Sequence, residues 1–423
     1  MTNLSHAPLT IGYCTNVHAG VDLPAIRRNL DQYAVKVRDQ VALNGIESGA
    51  AAADPDAKLG VGLWIPDAAS RELLVGSAAA DFAAFLENRR LSAFTINGFP
   101  YDNFHQDVVK HRVYLPSWFQ RERLEYTQRL ATILSTILPE SEQVGSISTL
   151  PIGWPDNPHA DSSSLDAADQ LEASGQLLRE LAEFLAKIES DSGRRIVVAI
   201  EPEPGCVIDT TGDVIRFFDS QLPDSLHRKH ITVCHDICHS AVMMEPQDEV
   251  LLRLATAKIG IGKVQVSSAV VADWTAMAGD RREEAKQQLA EFAEDRYLHQ
   301  TGRRTSDGRF ALAEDLPQLL NDDSAIDDDR WVVHFHVPIF LERFEHLGTS
   351  RGDVLECLRT LIGESSLGSQ GIDVNFTGHL EVETYAWTVL PQTMRKNALA
   401  DDIASEVNWL KQAVQICQVK SDP

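Results

Sequence analysis

The chain has 423 residues, a formal net charge of −24 and a pI near 4.9. Nucleic-acid-binding domains usually carry a basic surface, so this acidic balance argues against a nucleic-acid partner. No apolar run is long enough to span a bilayer, and the first residues lack the pattern of a secretory signal, so we expect no membrane insertion. The six cysteines are scattered without zinc-type pairs, which favours free thiols and a cytoplasmic protein.

Short apolar runs alternate with amphipathic stretches along the whole chain. Nine runs have the residues typical of buried strands, near 10–16, 59–65, 93–98, 145–150, 195–203, 231–236, 261–267, 331–337 and 379–385. Helical patterns lie between them, as at 22–43, 121–138, 166–188, 281–292 and 353–362. This alternation predicts βαβ units and a parallel sheet whose strands are buried on both faces.

A closed (β/α)8 TIM barrel, an α/β fold, needs eight strands, so one of the nine runs lies outside it. We expect this to be WVVHFHV at 331–337, because it follows a long polar segment that contains the acidic run NDDSAIDDD. Segments of that length are uncommon in compact domains unless they serve a function. The sequence therefore predicts a single barrel domain over 1–423, with 297–340 inserted between the last two barrel strands and lying over the barrel mouth.

Four of the predicted strands end on side chains that offer oxygen. They are Glu201 after VVAI, Asp236 in TVCHD, Gln265 in IGKVQV and Glu383 in HLEVETY. The carboxyl ends of barrel strands converge on one mouth, so these side chains should meet there. Alternation along the last strand puts Glu381 on the same face as Glu383 but further from the mouth. Pro202 interrupts the strand after Glu201 and argues against Glu203 facing the same way.

Three carboxylates and one amide oxygen form an oxygen-only ligand set. Such a set suits Mn²⁺ or Mg²⁺ better than Zn²⁺, which prefers nitrogen and sulfur but also accepts oxygen. Glu201 and Glu383, on either side of a substrate held by the cation, would in addition act as base and acid. One would remove a proton next to a carbonyl group and the other would return it. This predicts a metal-dependent isomerase or epimerase of a sugar or another polyhydroxy carbonyl compound.

Further polar residues follow other strand ends and are candidates for substrate binding. They are His18, Asn97, His105, His239, His334 and His336. A structural role competes with binding in each case, because such residues also shape turns, cap helices or occupy polar core positions. His334 and His336 share one face if their strand is regular, where their imidazoles would bind substrate or a second cation.

Taken in order, the motifs E-P, D-x-x-H, I-G-x-V-Q-V and V-E-T-Y resemble the xylose isomerase-like barrel superfamily of sugar isomerases and epimerases. The resemblance implies a substrate-side role for His239 and a divalent cation held by Glu201, Asp236, Gln265 and Glu383. IGKVQV is similar to the hydroxypyruvate isomerase branch, in which a Gln takes a ligand position that most relatives give to a His. The HFH segment at 334–336 lies where the related endonuclease IV has a D-x-H motif.

Longer stretches resemble the Ebo-type metabolite-traffic proteins, in particular their EboE branch. They are YCTNVHAG, FTINGFPYDNFH, VKHRVYLPSW, GSISTLPIGWP, HFHVPIF and HLEVETYAWTVLP, which together sample nearly the whole chain. This resemblance implies a bacterial protein with a part in the traffic or export of precursor metabolites. It implies no particular reaction.

Two other interpretations of the barrel stay open. One is a non-catalytic carrier or scaffold that binds a metabolite, since fold alone does not imply chemistry. The other is a phosphodiesterase similar to endonuclease IV, which would use several zinc ions and a groove that attracts a polyanion. Gln265 in place of a His and the acidic net charge both disfavour the phosphodiesterase.

Overall fold

Eight parallel strands close into a barrel in which the first strand pairs with the last. The structure is a computed structural model that describes residues 8–47, 57–160, 165–325, 327–363, 366–383, 387, 389–391, 394–395 and 397–418; Thr384 and Tyr385, at the end of HLEVETY, lie outside the described residues. The barrel strands are β1 (Thr10–Cys14), β2 (Leu59–Trp64), β3 (Leu91–Asn97), β4 (Val144–Thr149), β5 (Arg195–Ile200), β6 (Ile231–Asp236), β7 (Ile261–Val266) and β14 (His379–Val382). The predicted α/β barrel is confirmed.

Helices follow the barrel strands and cover the outside of the barrel, except for Gly279–Ala290 and Leu316–Leu320, which pack in a separate apolar core. Their bounds are α1 (Leu23–Asn29), α2 (Val35–Glu47), α3 (Asp67–Leu73), α4 (Ala78–Asn88), α5 (Arg121–Ile137), α6 (Ala167–Ser192), α7 (Thr211–Gln221), α8 (Ser225–His230), α9 (Ile237–Val242), α10 (Gln247–Thr256), α11 (Gly279–Ala290), α12 (Leu316–Leu320), α13 (Arg351–Ile362) and α14 (Leu399–Gln418). In the part of the chain that is described, no helix combines the length and the apolar character needed to cross a membrane. All six cysteines are free thiols, as expected.

Local sequence signals explain where two of the helices begin and where one of them ends. The Asp22 side chain accepts a hydrogen bond from the backbone of Ala25 and so caps α1. Asp166 caps α6 in the same way, and α6 ends at Gly193, whose φ of +72° suits a glycine. These caps satisfy backbone groups that the helices themselves leave unpaired.

A second sheet is inserted between β7 and β14, the last two barrel strands in the chain. Its strands are β8 (Val270–Asp273), β9 (Thr301–Arg304), β10 (Phe310–Ala313), β11 (Arg330–Val333), β12 (Arg343–Phe344) and β13 (Leu347–Thr349). They pair in the order β10-β9-β11-β8-β13-β12, with antiparallel neighbours, so the inserted sheet begins well before residue 297 and ends beyond residue 340. The sheet has its own apolar core, which includes Trp331 and Phe335.

The segment WVVHFHV lies outside the barrel, as predicted, but it is not one regular strand. Only Arg330–Val333 is extended and paired, with β8 on one side and β9 on the other. His334 and His336 follow the strand end, so their orientation does not come from strand alternation.

An ion pair is buried inside the barrel, below the mouth. The ammonium group of Lys263 on β7 contacts the carboxylate of Glu381 on β14, and neither side chain is exposed to solvent. Burial disfavours a charged lysine, but Glu381 outweighs this effect and raises the pKa of Lys263. Gly62 on β2 leaves room for the carboxylate, because a Cβ atom there would collide with Glu381.

Removing one partner of this pair should destabilise the barrel. We expect Lys263→Met to lower the free energy of unfolding by about 3–5 kcal/mol, because it leaves an uncompensated charge in the core. The double variant Lys263→Met/Glu381→Met should recover most of that loss, since it removes both charges and keeps the volume. Urea unfolding followed by circular dichroism measures both values, and a single variant as stable as the parent chain would contradict the expectation.

Candidate functional site

Three carboxylates meet at the carboxyl end of the barrel strands. Asp236 ends β6, while Glu201 and Glu383 come directly after β5 and β14. One oxygen of each lies within 4.8 Å of the others, and each residue is at most 7% exposed. The backbone N–H of Glu201 still donates to Thr149 at 2.9 Å, and that of Glu383 to Val266 at 3.2 Å. Pairing with the neighbouring strand therefore continues for one residue and aims both glutamates into the mouth.

Gln265 on β7 lies beside this group. Its pairing partners in the barrel are Asp236 on β6 and Glu381 on β14. The side chain is fully buried, and neither its amide oxygen nor its amide nitrogen has a hydrogen-bond partner among the described residues. A buried polar group left unsatisfied costs on the order of 1–3 kcal/mol. A cation between Gln265 and the three carboxylates would give this oxygen a partner, so the residues present fit a divalent ion.

The carboxyl groups are buried and close together, and both effects favour their protonated forms. Burial, together with the neighbouring Asp236 and Glu203 carboxylates, raises the pKa of Glu201 to about 8, although His239 and Lys263 act in the opposite direction. Burial also raises the pKa of Glu383 well above its ordinary value, again with Glu201 and Asp236 adding to the shift. Two of the carboxyl groups therefore keep their protons near neutral pH unless a cation neutralises the cluster.

Asp236 behaves differently because it is also a helix cap. Its Oδ1 accepts hydrogen bonds from the backbone of His239 at 2.9 Å and from the Ser267 hydroxyl at 2.7 Å. Burial alone would raise its pKa, but His239, His336 and these hydrogen bonds lower it overall. Its Oδ2 has no partner among the described residues. Oδ1 of Asp236 thus caps the helix, whereas Oδ2 is available to bind a cation.

Two histidines that are far apart in the sequence face each other above the carboxylates. The Nε2 atoms of His239 on α9 and His334 lie 3.2 Å apart. The Nδ1 atom of His239 is 2.8 Å from the carbonyl oxygen of Pro202, and that of His334 is 2.8 Å from the amide oxygen of Gln300. Both acceptors require an N–H at Nδ1, which leaves both Nε2 lone pairs directed at each other. A proton or a cation between them removes this repulsion.

The pKa shifts of His239 and His334 are consistent with one proton shared between the two rings. Burial opposes charge on His239, but the carboxylates of Asp236, Glu203 and Glu201 outweigh it and raise its pKa. Burial and the neighbouring imidazoles lower the pKa of His334 well below its ordinary value. An imidazolium at His239 that donates to a neutral His334 satisfies both rings.

His336 joins the carboxylates to the histidine pair. Its Nδ1 donates to the backbone carbonyl of Glu383 at 3.3 Å and lies 3.8 Å from the Glu383 carboxylate. Ligand atoms of His336 come within 4.8 Å of those of Asp236 and His239, and in a second grouping of those of Cys238 and His334. The inserted sheet therefore brings a nitrogen-rich group next to the oxygen-rich one.

Glu203 also lines the mouth, so the expectation that it turns away is wrong. Pro202 does end the regular strand, but the turn that follows brings the Glu203 side chain back into the same cavity as Glu201. Its Oε1 accepts hydrogen bonds from the Tyr114 hydroxyl at 2.5 Å and from the Gln300 amide at 3.1 Å. Tyr114 and Gln300 lie outside the regular strand ends, and no sequence pattern singled them out.

The other predicted binding residues divide into two groups. Asn97 lines the cavity and donates to Glu383 Oε1 at 3.2 Å, next to a second donor, Asn16, at 2.9 Å. His18 instead stacks on Tyr33, with ring centroids 4.6 Å apart, and does not line the cavity.

His105 also lies behind the cavity wall, between the rings of Trp64 and Phe104. Burial lowers the pKa of His105 to about 4 and that of His18 to about 3. The structure therefore brings His239, His334, His336 and Asn97 to the cavity, and it places His18 and His105 behind the wall as neutral rings.

Neither a protein-family model nor a curated protein sequence matches this chain. By structure, the chain is similar to a xylose isomerase-like TIM barrel protein from Mycobacterium smegmatis in complex with magnesium, with 10% identity and a TM-score of 0.50 over 99% of this chain and 100% of that one. A D-tagatose 3-epimerase-like protein has 13% identity and a TM-score of 0.48 over 97% and 98% of the two chains. The likeness to the magnesium-bound protein shows the fold alone, an α/β TIM barrel. The resemblance to the EboE branch stays a prediction.

The role of Gln265 in holding a cation can be tested directly. We expect Gln265→Ala to weaken Mn²⁺ binding on the order of tenfold or more, because the variant loses the neutral oxygen donor. Isothermal titration calorimetry of metal-free protein measures the affinity and the number of ions per chain. The control is Gln288→Ala on α11, which removes a glutamine that hydrogen-bonds within the inserted sheet. Equal affinities for Gln265→Ala and the parent chain would exclude Gln265 from the site.

Proposed function

We propose that this protein is a metal-dependent isomerase or epimerase of a small polyhydroxy carbonyl compound. The observation that carries the proposal is the buried group of Glu201, Asp236 and Glu383, with Gln265 unpartnered beside it. An oxygen-only set favours Mn²⁺ or Mg²⁺, with Zn²⁺ as a further option. When bound, such a cation would polarise a carbonyl group and its neighbouring hydroxyl.

The two glutamates are suited to move a proton between neighbouring carbons. Burial raises the pKa of both groups, which favours the uptake of a proton from a substrate carbon by either carboxylate. Asn16 and Asn97 both donate to one oxygen of Glu383, which fixes the carboxyl group and leaves its other oxygen toward the cavity. Glu201 approaches from β5, a different strand end, so the two groups reach a substrate from different sides.

The neighbouring histidines would orient the substrate. His239 and His336 line the same cavity as the glutamates, so a bound substrate would contact both rings. Gln300 fixes the ring of His334 and also binds Glu203, so the histidine pair and the extra carboxylate form one hydrogen-bonded unit. This unit would position the substrate over Glu201.

Replacing either glutamate by glutamine tests the proton transfer. In D₂O with Mg²⁺, the parent chain should introduce deuterium next to the carbonyl group of a substrate from a panel of ketoses, as read by mass spectrometry. Glu201→Gln and Glu383→Gln should each slow this exchange by a factor of 10² or more, because glutamine cannot accept the proton.

The matched control is Glu142→Gln, which changes a half-buried glutamate before β4, at the opposite end of the barrel. It should exchange deuterium as fast as the parent chain. Undiminished exchange by both mouth variants would exclude glutamate-mediated proton transfer.

Two alternatives give different results in the same experiments. A non-catalytic carrier or scaffold would bind a ketose without any deuterium exchange. A phosphodiesterase is favoured by one observation, the nitrogen-rich group at His239, His334 and His336, and it would bind several zinc ions per chain. The net charge of −24 disfavours a polyanionic substrate, so we place the isomerase first.

A further inference from the structure

The cavity at the barrel mouth has a polar floor and an apolar wall. It offers about 600 Å³ of space, a volume that includes solvent at its open end. The floor holds the carboxylates, the histidines and two asparagines. The wall is formed by Phe99, Phe104, Val113, Tyr297 and Leu298. Hydroxyl groups of a free sugar that faced this wall would be buried without partners, which costs free energy.

The polar atoms of the wall are already occupied by partners within the protein. The ammonium group of Lys110 binds Asp315 at 2.8 Å. The hydroxyl of Tyr297 donates to the backbone oxygen of Phe104 at 3.2 Å. The Tyr114 hydroxyl is committed to Glu203. Among the described residues, the wall therefore offers mainly apolar surface to a ligand, whereas the floor contains carboxylate and amide atoms without partners.

Packing within the protein holds the side chains of the wall in place. Phe104 and Tyr297 belong to a compact apolar cluster with Trp64 and Val109, separate from the main barrel core. The rings of Trp64 and Phe104 meet edge to face at 4.8 Å. Phe104 and Tyr297 are only 5% and 8% exposed, so the cluster holds them in place beside the cavity.

We propose that the substrate carries an apolar substituent, an aryl or alkyl group, next to the hydroxy carbonyl group that reacts. This inference rests on the proposed function, because the polar floor is what receives the hydroxy carbonyl group. The substituent lies against Phe104, Tyr297 and Leu298, where it replaces water along a surface that offers few hydrogen bonds. Burial of such a group strengthens binding through the hydrophobic effect.

A matched set of α-hydroxyketones tests the inference. Dihydroxyacetone, hydroxyacetone and 2-hydroxyacetophenone share one hydroxyketone group and differ in the substituent on the carbonyl carbon: hydroxymethyl, methyl or phenyl. Titration calorimetry on the full chain loaded with Mg²⁺ should show that 2-hydroxyacetophenone binds at least about tenfold more tightly than dihydroxyacetone. Equal or tighter binding of dihydroxyacetone would overturn the inference.

Substitutions in the wall test whether its side chains cause the preference for the phenyl compound. Leu298→Asn should reduce the preference for the phenyl compound to threefold or less, while Leu226→Asn, the same change on the exposed surface of α8, should leave it unchanged. Val113→Thr, a change of similar volume in a half-buried wall residue, should reduce the preference too and covers the case that Leu298→Asn fails to fold. A preference that persists in both wall variants would also overturn the inference.

The outcome separates this inference from the proposed function. Deuterium exchange into dihydroxyacetone without a preference for the phenyl compound would support the isomerase and reject the apolar substituent. A preference for the phenyl compound that depends on Leu298, together with no deuterium exchange into any ketone, would support binding of an apolar substituent at the wall. It would reject proton transfer.

Discussion

The crowding of Glu201, Asp236 and Glu383 away from water is the constraint on which the site depends. Three like charges whose oxygens lie within 4.8 Å of one another cannot all be ionised in a buried position without compensation. Part of the compensation is built into the chain, as imidazole groups above the carboxylates and an ammonium group below them. The rest must come from protons or from a cation. The arrangement of the carboxylates therefore favours the binding of a proton or a cation at the point where a substrate enters.

The inserted sheet completes what the barrel begins. The insertion leaves the barrel after β7, which carries Gln265, and returns at β14, which leads to Glu383. It therefore emerges beside the carboxylates and supplies His334, His336 and Gln300 to them. The barrel provides oxygen atoms from strand ends, and the insertion provides nitrogen atoms and the hydrogen bonds that orient them. The Nδ1 atoms of His334 and His336 contact Gln300 and the Glu383 carbonyl, and these contacts fix which ring nitrogen faces the site.

The sequence was most informative where one periodicity governs the structure. Barrel strands are continuous apolar runs, and the residue that ends such a run must face the mouth, so Glu201, Asp236, Gln265 and Glu383 could be placed together. The strands of the inserted sheet were largely missed, because they contain only two to four residues and show no comparable pattern. Short strands of this kind are defined by pairing partners that lie far away in the chain, which a single sequence does not display.

Turns and loops explain the remaining differences. Glu203 reaches the cavity because a turn redirects the chain after Pro202, and strand alternation says nothing about a turn. His18 and His105 also follow strand ends, but each found an aromatic neighbour behind the wall instead of a place in the cavity. A histidine near a barrel mouth is thus a weak indicator of binding by itself. The carboxylates were a stronger one, because a buried carboxylate needs a compensating charge and a neutral imidazole does not.

The charges of the described site favour one divalent cation and a neutral substrate. Glu381 is paired with Lys263, so the carboxyl groups of Glu201, Asp236, Glu383 and Glu203 remain to be neutralised. One divalent cation and one imidazolium at His239 would offset three charges, and burial raises the pKa of Glu203, which favours a neutral carboxyl group there. The proton on His239 would also satisfy its contact with His334. A second divalent cation among the histidines would displace that proton and leave surplus positive charge, which would favour an anionic substrate. The single hydrogen bond between His239 and His334 therefore affects the charge of the substrate that fits, as the metal ligands do. With the proton in place, the site suits an uncharged hydroxy carbonyl compound.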